Sequence, residues 1–172
     1  MNAEPPTVAP PTKPGLLGWL GVPIRLLIGG VFLWAAWAKI GPSHGPMVFS
    51  KAIEAYKLNL PDPLVTLATF GVPWTEALAG IMLILGLWTR AAASVIAAML
   101  LLFIGLGIAA ILRGLEIKCG CFGDRTLLCQ GGLGWCHIGE NSLMTALTLL
   151  VVACRKPALA LDSITGCRSC KK

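Results

Sequence analysis

The densest group of chemically reactive residues is a loop that holds four of the seven cysteines, at Cys119, Cys121, Cys129 and Cys136. Cys119 and Cys121 are separated by one glycine, so a bond between them closes a small, strained ring that Gly120 makes accessible. Strained disulfides are more oxidising than relaxed ones, and they exchange more readily. The pair is therefore a candidate redox-active dithiol.

The same loop supports two other interpretations. Four cysteines allow three complete pairings, including structural bonds from Cys119 or Cys121 to Cys129 and Cys136. Zinc binding is a third option, since thiolates and the nearby His137 are common zinc ligands. The spacing leaves disulfide exchange, structural cross-links and metal binding open, and the sequence alone assigns no metal ligand.

A second pair of thiols, Cys167-x-x-Cys170, lies near the C-terminus. Its spacing is thioredoxin-like, but no strand and helix pattern surrounds it, so these cysteines are candidates for a disulfide and no more. Disulfides persist on the oxidising side of a membrane, which predicts that the cysteine loop faces the periplasm or the cell exterior. The sequence contains no cofactor motif. A quinone is compatible with redox chemistry here, but no motif supports one.

Three charged residues interrupt long apolar runs: Arg25, Lys39 and Glu76. A carboxylate in such a run usually faces the bundle interior and finds a partner. Arg25 and Lys39 fall within about 40° of the same helix face. Either both reach out to opposite membrane interfaces, or both point inward and Lys39 meets a carboxylate. A Lys39–Glu76 pair would either support thiolate chemistry with nearby charge or only fix helix packing.

The composition is that of an integral membrane protein. The chain of 172 residues is 56% hydrophobic and 13% charged, against about 25% charged for a typical soluble domain, and its mean hydropathy is +0.77. The net charge of +6 comes from single basic residues at helix ends and in the tail, which fits a lipid bilayer and not nucleic acid.

The apolar runs predict an all-α integral membrane protein, a bundle of four transmembrane helices with a short interfacial helix between spans 1 and 2. We expect Gly71-Val72-Pro73 to break span 2 and Thr89-Arg90 to form the next hairpin. Asn141 or Ser142 is expected to cap the last helix. The predicted segments are a proline-rich arm (1–15), a membrane domain (16–156) with spans at 16–40, 64–88, 91–112 and 138–154, an interfacial helix (47–58), a cysteine-rich loop (113–141) and a polar tail (157–172).

Four motifs together resemble the MauE family of methylamine utilisation, which groups with the DoxX-like four-helix membrane proteins. They are Pro73-Trp74-x-Glu76, the run from Gly80 to Arg90, Arg113-Gly114, and Cys119-Gly120-Cys121-Phe122-Gly123. The resemblance implies a bacterial cytoplasmic-membrane protein that makes or shuffles disulfides with a periplasmic thioredoxin-like partner. It also implies Cys119 and Cys121 as the redox pair, with Glu76 and Lys39 supporting. Basic residues are slightly more numerous on the terminal side, which predicts cytoplasmic termini and a periplasmic loop.

The chain departs from the family pattern in the insert Asp124 to Gly139, in the proline arm and in the cysteine-bearing tail. These departures suit a subunit recruited into a larger membrane complex. The alternative function is therefore a non-catalytic accessory subunit of a respiratory, photosynthetic or oxidase assembly, with the loop disulfides as structural cross-links.

Overall fold

The computed structural model describes residues 16–41, 45–115 and 134–153, with side chains from residue 21 onward. In these ranges the chain forms helices and no strand. Four of the helices are long and apolar enough to cross a membrane, and the short α2 lies between the first two. The predicted four-helix membrane bundle is therefore confirmed. The helices are α1 (Leu16–Ile40), α2 (Gly45–Ala55), α3 (Asp62–Leu85), α4 (Thr89–Leu112) and α5 (Trp135–Ala153).

The core is built from the inward faces of the four long helices. α1 packs mainly against α3, and α4 packs mainly against α5. Large apolar side chains on the opposite faces, such as Trp37, Leu67 and Leu102, are exposed, as expected for helices that face lipid. The buried cluster includes Ile28 and Phe32 of α1, Leu83 of α3, Ile96 and Leu100 of α4, and Met144 and Val151 of α5.

The seam between α1 and α3 is unusually close because glycines meet there. A Cβ atom on Gly29 would lie 2.5 Å from Cγ1 of Ile84 and 2.9 Å from the Gly80 carbonyl oxygen. One helix turn away, Nε of Arg25 donates to the Leu83 carbonyl at 3.2 Å. Small residues let membrane helices approach until their backbones touch, so this seam fixes how α1 and α3 sit against each other.

The predicted break in span 2 is wrong, since α3 runs without interruption through Pro73. The helix begins at Asp62, where Pro63 occupies the first turn and its missing N–H is no loss. Membrane helices tolerate an internal proline when neighbouring helices and hydroxyl groups satisfy the backbone. Pro73 leaves the carbonyl of Thr69 without its helical donor, and α3 nevertheless continues.

The hairpin between α3 and α4 lies earlier than predicted. Gly86 takes the left-handed conformation, with φ 71° and ψ 29°. The N–H groups of Gly86 and Leu87 donate to the carbonyls of Leu83 and Met82 at 3.3 and 2.9 Å. Glycine adopts this geometry without steric cost and ends the helix in a Schellman motif. Thr89 and Arg90 consequently belong to α4.

The last helix begins at Trp135, so the predicted cap at Asn141 or Ser142 is wrong and both residues lie inside α5. The Gly134 carbonyl accepts the N–H of His137 at 3.0 Å, which closes the first turn. Three of the predicted loop cysteines, Cys119, Cys121 and Cys129, lie outside the described residues, as do the arm and the tail.

Candidate functional site

Lys39 and Glu76 form a buried ion pair that joins the last turn of α1 to the middle of α3. Nζ of Lys39 lies 2.9 Å from Oε1 and 2.8 Å from Oε2 of Glu76. The two side chains are only 2% and 1% exposed. Arg25 is buried as well. The inward arrangement is therefore confirmed for both cations, and the expectation that they reach out to the membrane interfaces is wrong.

Two aromatic rings also lie near the Lys39 ammonium. Nζ lies 5.6 Å from the ring centre of Phe49 in α2 and 5.9 Å from that of Phe103 in α4. Such cation–π contacts contribute about 0.5–2 kcal/mol, depending on how dry the site is. Four helices therefore converge on one charge, and α2 is held to the bundle through Phe49.

The geometry of the pair suits an orienting role. Both carboxylate oxygens of Glu76 are engaged by one ammonium group, and the side chains are sealed from solvent. Removing two charges from water offsets much of their mutual attraction, so a buried pair specifies an arrangement more than it adds stability. The support that the pair would give to thiol chemistry stays a prediction.

Cys136 is the one cysteine among the described residues, and it is disulfide-bonded. It is the second residue of α5, and its side chain is exposed at the end of the bundle where the cysteine loop joins. Its partner lies outside the described residues. The other predicted site and disulfide cysteines, namely Cys119, Cys121, Cys129, Cys167 and Cys170, also lie outside them. The choice of redox pair accordingly stays a prediction.

A second buried polar group occupies the first two turns of α5, and sequence reasoning missed it. His137, Glu140 and Asn141 are 3%, 6% and 4% exposed. Both ring nitrogens of His137, Oε1 of Glu140 and Oδ1 of Asn141 are buried without a hydrogen-bond partner in the described part of the chain. Residues spaced i, i+3 and i+4 share one helix face, and this spacing was the signal in the sequence. We call these three residues the α5 polar cluster.

The family described as methylamine utilisation protein MauE matches residues 17–154, which is most of the chain. The chain belongs to the MauE family. The match spans the four long helices, and it includes the Lys39–Glu76 pair, Cys136 and the α5 polar cluster. No curated protein and no solved structure matched the chain. The resemblance seen in the sequence motifs is confirmed.

The MauE-family region offers no conventional metal cluster in its described part. No group of three or more His, Cys, Asp or Glu side chains converges among those residues. The zinc site considered from the sequence would need thiols of the cysteine loop, and three of these lie outside the described residues. The α5 polar cluster supplies only two such side chains, and its third donor is the amide of Asn141.

Proposed function

We propose that this MauE-family membrane protein exchanges disulfides with a thioredoxin-like partner through Cys119 and Cys121. The observation that carries the proposal is the disulfide bond of Cys136. It means that at least one cysteine of the loop region is engaged in disulfide chemistry, at an exposed edge of the bundle. In our proposal the partner of Cys136 is a cysteine other than Cys119 and Cys121, and these two, separated by one glycine, form the exchangeable pair.

The exchange proceeds in two balanced steps. A thiolate of the partner attacks the Cys119–Cys121 bond, forms a mixed disulfide with Cys119 and releases Cys121 as a thiolate. The second partner thiolate then attacks the mixed disulfide, which releases Cys119 and leaves the partner oxidised. Two electrons enter the loop pair, and the two protons lost by the partner thiols balance those gained by the loop thiols. The reverse steps return a disulfide to another protein.

The bundle would support this chemistry by holding the loop. In our proposal the Lys39–Glu76 pair fixes α1 against α3, and Phe49 holds α2 over the Lys39 ammonium. The loop leaves from the end of α4 and returns at the start of α5. With the loop in the periplasm and the protein in the cytoplasmic membrane, the disulfide would lie in a compartment where it persists.

The decisive experiment is to trap the mixed disulfide. Full-length Cys121→Ser protein keeps Cys119 but cannot resolve a bond to a partner. Its Cys119 is first converted to a mixed disulfide with thionitrobenzoate. The single thiolate of purified thioredoxin whose resolving cysteine is replaced should then displace thionitrobenzoate and form an adduct that runs higher on a non-reducing gel. Peptide mapping should place the bond at Cys119. Cys136→Ser is the matched control and should still exchange with the partner.

Mapping of the seven cysteines in the untreated protein gives the opposing outcome. If Cys119 and Cys121 are both bonded to other cysteines, and these bonds resist graded reductant, the loop is cross-linked and the exchange proposal fails. The accessory-subunit function would then account for the disulfides as structural bonds.

A further inference from the structure

The α5 polar cluster is buried but unsatisfied. His137, Glu140 and Asn141 together leave four polar atoms without a partner in the described part of the chain. Burying such atoms without a hydrogen bond costs free energy, so native structures usually supply a partner, an ordered water or an ion. The chemistry of the cluster therefore calls for a further partner beyond the described residues.

The cluster faces the bundle interior and not the lipid. It continues the stripe of α5 that carries the buried Met144, Thr148 and Val151, two of which pack in the apolar core. The main neighbour of α5 is α4. The residues that α4 buries in its last two turns are small, Gly107 and Ala110. Neither residue has a polar side chain that could serve as a hydrogen-bond partner for the cluster.

The charges of the cluster select a cation. Glu140 brings a carboxylate, which repels an anion, and its unpartnered Oε1 and Oδ1 of Asn141 are both acceptors. The positive end of the helix dipole opposes a cation, but this effect falls off within the first turn. Glu140 and Asn141 lie in the second turn of α5.

The donor atoms indicate which cation binds. Imidazole nitrogen together with carboxylate and amide oxygen suits divalent transition metals such as zinc. Spacings of three and four residues on one helix are known to direct two side chains at one metal ion. We propose that His137, Glu140 and Asn141 bind a divalent transition-metal ion at the start of α5. Three protein ligands leave a coordination position open for water or substrate.

This site is independent of the disulfide proposal, because it uses no thiol. It also differs from a thiolate zinc site in the loop. The two are separable by spectroscopy, since cobalt bound to cysteine shows a thiolate-to-metal charge-transfer band that nitrogen and oxygen ligands do not give.

The test is a Co²⁺ titration of the full-length protein in detergent, after metal has been stripped with a chelator. We expect one ion per chain, visible ligand-field bands and no thiolate band. His137→Ala and Glu140→Gln should each weaken binding by more than the about 10–100-fold that loss of an outer-shell partner costs. His44→Ala removes the other histidine of the sequence and should bind as the unaltered protein does.

A gain of affinity separates ligation from misfolding. Asn141→Asp adds a second carboxylate ligand and should bind Co²⁺ more tightly, which a damaged fold cannot mimic. Bound metal should also raise the Tm of the unaltered protein, by mass action on the folded state, but not that of His137→Ala. The proposal is overturned if the unaltered protein binds no Co²⁺, if His137→Ala and Glu140→Gln bind it equally well, or if a thiolate band accompanies binding.

Discussion

The α1–α3 seam and the start of α5 bury polar side chains in opposite ways. At the seam, Lys39 and Glu76 satisfy each other through two hydrogen bonds of 2.9 and 2.8 Å. At the start of α5, His137, Glu140 and Asn141 are buried almost as deeply without a partner in the described residues. Both groups lie in a bundle whose core is packed mainly from apolar side chains.

The difference indicates that the Lys39–Glu76 pair has a structural role and that the α5 polar cluster has a binding role. A buried charge pair with all its acceptors engaged needs nothing more, and it specifies how two helices dock. A buried polar group without partners is costly unless it awaits a ligand. The first group therefore belongs to the architecture, and the second is where a ligand is to be sought.

The largest loss of unfolding free energy should come from breaking the Lys39–Glu76 pair. Glu76→Gln leaves the Lys39 ammonium buried without a counter-charge, which should lower the free energy of unfolding by about 3–5 kcal/mol. Denaturation in detergent micelles measures the change.

Two further variants make that test specific. Glu54→Gln, on the exposed side of α2, should stay within about 0.5 kcal/mol of the unaltered protein. The double variant Lys39→Met/Glu76→Leu should lose less than Glu76→Gln, because it buries no lone charge. A cost for Glu76→Gln below about 1 kcal/mol would contradict the architectural role of the pair.

Close backbone packing at Gly29 should also hold α1 against α3. Gly29→Ala would place a Cβ 2.5 Å from Ile84 and 2.9 Å from the Gly80 carbonyl. The forced separation should cost about 1–3 kcal/mol of unfolding free energy. The neighbouring Gly30 has no atom within 4 Å of such a Cβ. Gly30→Ala should therefore be neutral or stabilise by up to about 1 kcal/mol, and equal losses at the two positions would contradict the close seam.

A third prediction concerns the aromatic contacts of Lys39. Phe49→Leu removes the ring 5.6 Å from Nζ and should cost about 0.5–2 kcal/mol. The same change made in a Lys39→Met background should cost less, since the cation is gone, and a double-mutant cycle measures the difference. Met47→Leu, at an exposed position on the same helix, is the control. A coupling energy of zero would show that Phe49 acts by packing alone.

The Lys39–Glu76 pair could be predicted from the sequence. Isolated charges in apolar runs must pair or reach water, so Lys39 with Glu76 was one of two stated options, and the bounds of α1 were predicted as the structure has them. The position at which α3 ends was predicted wrongly. A break was expected at Gly71-Val72-Pro73, where the helix in fact continues, while Gly86, which does end it, was overlooked.

The unsatisfied group was missed because local polarity was interpreted as loop and cap. Asn141 is a good capping residue in isolation, but the helix begins at Trp135 and carries it inside. The spacing His137-x-x-Glu140-Asn141 would have revealed a shared face. The pairing of Cys136 could not be deduced by any such pattern, since four loop cysteines allow three connectivities.

The smallest change in unfolding free energy should come from a substitution in the α5 polar cluster. In metal-free protein, Glu140→Gln removes no hydrogen bond or ion pair seen among the described residues, and the two side chains have nearly the same shape. The free energy of unfolding should therefore change by less than about 1 kcal/mol in either direction. Denaturation under the conditions used for Glu76→Gln gives a direct comparison of two buried carboxylates.

The same measurement with metal present should separate the proteins. A fixed concentration of Zn²⁺ should stabilise the unaltered chain, because the ion binds the folded state preferentially, and it should stabilise Glu140→Gln by much less. A loss of 3 kcal/mol or more for Glu140→Gln without metal would mean that Glu140 has a charged partner of its own. The start of α5 would then be a second architectural pair, and the contrast with the α1–α3 seam would fail.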